Sequence, residues 1–74
     1  MSGTEVISVF RGFGFEVVSS RGSHAKLRRF VGDAKQTLTV PTHAELDTGT
    51  LRAIIRHATA YIPESELAPH FWAR

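Results

Sequence analysis

Between Arg21 and Arg29 the chain gathers a turn glycine, a hydroxyl, an imidazole and four of its nine formal cations within nine residues, Arg21-Gly22-Ser23-His24-Ala25-Lys26-Leu27-Arg28-Arg29. An imidazole exchanges protons near neutrality, its ordinary pKa lying at ~6.5, so His24 is the side chain of this run suited to acid–base work. Arg21, Lys26, Arg28 and Arg29 supply positive charge that could hold a phosphate. From Arg21 to Lys35 five cations accompany one anion, Asp33, whereas the rest of the chain is slightly negative. Such a stripe attracts phosphates and other polyanions, and the attraction weakens with salt. A solvated face that keeps a small protein soluble has the same composition, and a lone histidine among cations is more often exposed than catalytic.

The elements that must position these residues follow from capping and periodicity. Ser2-Gly3-Thr4-Glu5 has the spacing of a capping box, and Val6, Val9, Phe10 and Phe13 follow at helical intervals, so a helix starts here and ends at Gly12 or Gly14. Phe15 to Ser19 reads as a strand. Ser20-Arg21-Gly22 is a turn in which Gly22 can take the positive φ that other residues resist. A second strand runs from about Ser23 to Phe30, Val31 to Ala34 turns, and Gln36 to Val40 forms a third strand stopped by Pro41. Short turns between three strands predict an antiparallel meander.

Alternation along the strands places Phe15, Val17, Ala25, Leu27, Leu38 and Val40 toward the helices. Glu16, Val18, His24, Lys26, Arg28, Thr37 and Thr39 then line an open face, a parity that Arg29 breaks and that a bulge would invert. Thr42 to Leu46 is a loop, and Asp47 or Thr48 caps a second helix to about Ala58 with a stripe of Leu51, Ile54, Ile55 and Ala58. Pro63 and the acidic Glu64 and Glu66 suit a helix start, but Pro69 limits it to a short turn, with Leu67, Phe71 and Trp72 seeking apolar contact.

The expected architecture is therefore α+β, an α-β-β-β-α order over a single domain of 74 residues. With no cysteine, disulfides and thiolate metal sites are excluded. The four histidines show no HxH or HxxxH spacing, so neither a metal nor another cofactor is expected. No apolar run approaches the ~20 residues of a membrane span and no signal-peptide pattern opens the chain, which predicts a soluble cytoplasmic protein without a membrane partner.

As far as about Ala58 the chain resembles the HicA toxins of bacterial toxin–antitoxin systems. The likeness is carried by a first helix ending in Gly14-Phe15, then Gly22-Ser23-His24, then Leu38-Thr39-Val40-Pro41 with His43 shortly after, then Gly49-Thr50-Leu51-Arg52. Residues 59–74 are longer and more aromatic than that pattern. The resemblance implies a fold like that of double-stranded-RNA-binding domains and an activity that cleaves mRNA without the ribosome. It also implies that His24 is catalytic and that a HicB-type antitoxin binds the toxin and covers this histidine.

The chemistry agrees with that implication. RNA carries its own nucleophile, the 2′-hydroxyl, so cleavage needs a base for that proton, charge for the phosphorane and, helpfully, an acid for the leaving 5′-oxygen. A well-placed histidine contributes ~10²–10⁴-fold. Lys26 and Arg28, on the same strand face as His24, are placed for the charge. His43 is a candidate second proton-transfer group, with an ordinary loop histidine as the commoner reading. Gly49-Thr50 could offer free helix amides to a phosphate, unless Asp47 occupies them. Two other readings fit the same residues: a non-catalytic RNA-binding module in which His24 is expendable, and an interaction protein that docks a partner through Val18, Phe71 and Trp72.

Overall fold

The computed structural model describes residues 1–72. It contains α1 (Gly3–Gly12), β1 (Glu16–Arg21), β2 (His24–Val31), β3 (Ala34–Pro41), α2 (Thr48–Ala58) and α3 (Glu64–Phe71). The strands form one antiparallel sheet in the order β1-β2-β3, which puts the strand beginning at His24 in the centre. The expected α+β order is present, with α3 as a third helix.

Each start and stop has a local cause. The Glu5 amide donates to Ser2 Oγ at 3.1 Å and the Ser2 amide to Glu5 Oε1 at 2.7 Å, so the capping box is closed in both directions. Gly14 takes φ 96° and lets the chain reverse into β1. Two-residue turns, Gly22-Ser23 and Gly32-Asp33, join the strands, each with a glycine of φ near 60° in first place and no positive φ in second. This is the dihedral pattern of a type II′ hairpin turn, whose twist matches that of its strands.

Because each turn takes only two residues, the strands run longer than the sequence predicts. Ser20 and Arg21 belong to β1, while Ser23 is a turn residue. Pro41, expected to stop β3, is instead its last paired residue, opposite His24. β3 is an edge strand, where a missing amide is tolerated.

Alternation sorts the sheet into two faces. Ala25, Leu27, Leu38 and Val40 are buried with Val6, Phe10 and Phe15 against Ile54, Ile55, Ala58, Ile62 and Leu67. Leu51, expected in the buried stripe of α2, is only partly covered. Opposite them His24, Lys26, Arg28 and Thr39 are exposed. Gly3 fixes how closely α1 meets this sheet, since a Cβ there would lie 2.0 Å from the Pro41 carbonyl oxygen.

The short turn expected near Pro63 is a full helix of eight residues. Pro69 sits inside it without ending it, because only the bond to the exposed Ser65 carbonyl is lost and the ladder resumes with Trp72 N–H donating to Ala68 O at 2.8 Å. Leu67 is fully buried, and Phe71 packs on Phe10 with ring centroids 6.1 Å apart. Trp72 stays half exposed. Among the described residues no helix is long and apolar enough to cross a membrane.

Candidate active site

The two-residue turn at Gly22-Ser23 brings Arg21 directly opposite His24, at the mouth of the β1–β2 hairpin. Residues paired across strands point to the same side with Cβ atoms ~5 Å apart. The open face is thus built in rows from β1 through β2 to β3: Arg21, His24 and Pro41; Ser19, Lys26 and Thr39; Glu16, Arg28 and Thr37. Phe30 and Lys35 make a last pair at the far end.

Keeping Val17 paired with the buried Leu27 while Arg21 faces His24 requires one surplus residue in β1. Register slips between Val17 and Ser19, with Val18 absorbing the excess as a bulge. Without that bulge, the parity of Val17 would send Arg21 to the helix side. Lys26 and Arg28 follow His24 at every second residue of β2, and among the described residues neither they nor Arg21 and Lys35 enter an ion pair. Their charge is available to a ligand.

Arg29, grouped by the sequence with these cations, faces the other way. It pairs with Gln36 on the helix side of the sheet. Its guanidinium donates to Gln36 Oε1 at 2.6 Å, to the Phe13 carbonyl at 2.7 Å and to the Tyr61 carbonyl at 3.2 Å, and lies over the Phe15 ring at 4.9 Å. Arg29 therefore obeys the alternation and serves as a half-buried clamp joining the end of α1, the sheet and the segment between α2 and α3. It is not part of the basic face.

His43 lies in the loop after β3. The Thr42 amide donates to the Ser23 carbonyl at 2.7 Å, tying this loop to the turn that precedes His24. The His43 carbonyl accepts from the Gly3 amide at 2.9 Å, so its backbone helps to seat the start of α1. Its side chain is exposed and near enough to Asp47 to favour that carboxylate's charged form.

The amides at the start of α2 are already engaged. Asp47 caps the helix by accepting from the Thr50 amide at 2.7 Å, and this bond is the main reason its carboxyl stays below its ordinary value. The Gly49-Thr50 turn thus already holds its own anion in the place a phosphate would take. Among the described residues no group of three or more His, Cys, Asp or Glu is arranged to hold a metal ion. A concavity of about 720 Å³ lies between α2 and α3, is lined by residues such as Leu51, Arg52 and Trp72, and includes no residue of the sheet.

Comparison with known families supplies the decisive observation: residues 3–59, from the start of α1 to just past α2, match the family described as HicA toxin of bacterial toxin–antitoxin. The chain belongs to the HicA toxin family. It is thereby a toxin of a toxin–antitoxin system, and an antitoxin is the kind of partner that membership implies. Neither the curated proteins nor the solved structures contain a significant match.

The HicA match covers every row of the open face and stops before α3. Sequence alternation left five members of that face unplaced, Ser19, Arg21, Phe30, Lys35 and Pro41. Counting by twos from His24 reaches Phe30, but an aromatic residue normally argues for burial, and that expectation masked the parity.

Proposed function

We propose that this HicA-family toxin is an endoribonuclease that cleaves mRNA in the cytosol by His24-centred acid–base chemistry. In this reading, His24 takes the proton from the 2′-hydroxyl as that oxygen attacks the adjacent phosphorus. Arg21 and Lys26 balance the charge gathering on the phosphorane oxygens, and Arg28 holds a phosphate further along the strand. The 5′-oxygen leaves with a proton, and the products are a 2′,3′-cyclic phosphate and a 5′-hydroxyl end. His43 is proposed as the proton donor, since its loop is tied by Thr42 to the turn that carries Ser23. A HicB-type antitoxin would silence the toxin by covering His24.

The observation that carries this reading is the placement of His24: first residue of the central strand, exposed, opposite Arg21, and followed on the same face by Lys26 and Arg28. A cleavage assay with purified protein tests it. RNA is expected to be cut in the presence of EDTA to fragments with 5′-hydroxyl ends. His24→Ala is expected to lose at least about 10²-fold in rate while keeping its affinity for RNA. Equal cutting by the variant would sink His24 as the catalyst, and a parent protein that binds RNA without cutting it would identify a binding module instead.

A further inference from the structure

The basic face ends in an aromatic ring that the proposed cleavage chemistry does not use. Phe30 is 59% exposed, an unusual state for a phenylalanine in a strand with a packed core beneath it. It lies on the His24 side of the sheet, six residues further along β2, which is about 20 Å at the rise of a strand. The Arg28 guanidinium sits over its ring at 5.3 Å from the centroid, and Lys35 is its partner on β3.

From this geometry we propose that Phe30 and Arg28 form a stacking platform for an unpaired nucleobase, making the substrate class of the site single-stranded RNA running along β2. This rests on the reading of the face as an RNA site. Three features argue for it. Lys26 and Arg28 recur every second residue, a pitch of about 6.6 Å that is comparable to the spacing of successive phosphates in an extended strand. The track ends in an exposed ring beside a planar cation, the pairing on which single-stranded nucleic acid stacks its bases. A paired duplex keeps its base faces covered internally and so has little use for such a ring.

Charge complementarity also sets the path across the sheet. Glu16 stands opposite Arg28 on β1 and repels phosphate, whereas Thr37, Thr39 and Lys35 on β3 offer hydroxyls and a further cation. The strand therefore runs over β2 and β3, entering at His24 and leaving past Phe30.

The test uses the full chain carrying His24→Ala, so that the RNA stays intact, with a single-stranded oligoribonucleotide of about eight nucleotides and its duplex as probes. Phe30→Ala is expected to weaken single-strand binding by about 5- to 150-fold and to leave duplex binding unchanged. Phe30→Trp should restore the affinity; Phe30→Leu, apolar but without a ring, should not. Loss of stacking leaves the salt dependence intact, whereas Arg28→Ala should reduce the slope of log affinity against log salt by about 0.7. Unchanged single-strand affinity in Phe30→Ala, or equal losses for single strand and duplex, overturns the stacking platform and leaves the nuclease reading standing. A protein that binds neither RNA overturns both. Loss of antitoxin binding alone would make Phe30 a protein contact and overturn the inference as well.

Discussion

Arg28 and Arg29 are adjacent in sequence and have opposite tasks. Arg28 is exposed on the open face with its guanidinium over the Phe30 ring, a contact worth about 0.5–1 kcal/mol at an exposed site. Arg29 satisfies two backbone carbonyls and the Gln36 amide oxygen beneath the sheet. Removing it strands those acceptors in a partly buried setting, at about 1–3 kcal/mol. In denaturant titrations Arg29→Ala should therefore lose that much stability, and Arg29→Lys should recover little because an ammonium cannot span three acceptors in fork geometry. Arg28→Ala should lose less than about 1 kcal/mol and instead bind RNA more weakly. Equal stability losses in the two variants would contradict the assignment. The open-face positions of His24, Lys26 and Arg28 were legible from alternation alone. The task of Arg29 was not, because its acceptors come from Phe13 and Tyr61, which only the folded chain brings near it.

At the level of elements, two glycines hold the site for different physical reasons. Gly22 adopts φ 59° in the turn before His24, and a Cβ there would touch nothing within 4 Å, so an alanine would suffer from its backbone alone. That conformational cost is about 1–2 kcal/mol. Gly3 is helical and buried, and its alanine would meet Pro41 O, the residue paired with His24. Overpacking of this kind costs about 1–3 kcal/mol and pushes on the site. Both variants should lower the denaturation midpoint, but Gly3→Ala should also shift the amide resonances of His24 and Thr42. Absence of those shifts would show that α1 yields rather than β3. The turn role of Gly22 was readable because few residues accept a positive φ, and both helix caps were readable from Ser2-Glu5 and Asp47. The bulge at Val18 left no sequence signal of its own; it arises from fixing the two-residue turn and the pairing of half-buried Val17 with buried Leu27 at once. α3 runs longer than the propensity of Pro69 predicts, because burial of Leu67 and packing of Phe71 outweigh one lost backbone bond.

The molecule as a whole is a sheet with one apolar side, which folds it, and one charged side, left free for a ligand. The carboxylates that hold α1 and α2 at their N-termini belong to the folding side of that division. Glu5 is held below its ordinary value of 4.5, chiefly by the backbone amide of Ser2, and Asp47 below its ordinary 3.8, chiefly by the amide of Thr50. A carboxyl depressed by folding contributes stability that is complete above its unfolded pKa and fades as pH falls through its folded one. Stability should thus stay level from neutrality to about pH 5 and then decline as these groups take up protons. The double variant Glu5→Gln, Asp47→Asn keeps an oxygen acceptor at each cap but cannot titrate, so its melting temperature should fall less steeply between about pH 5 and pH 3 while starting lower at neutrality. Because the cations of the open face are untouched, the variant should bind RNA at pH 7 with the parent's salt dependence. If parent and variant melt with the same acid slope, then carboxylates other than the two caps govern acid unfolding, and the division between a capped folding side and a free ligand side fails at its pH-sensitive edge.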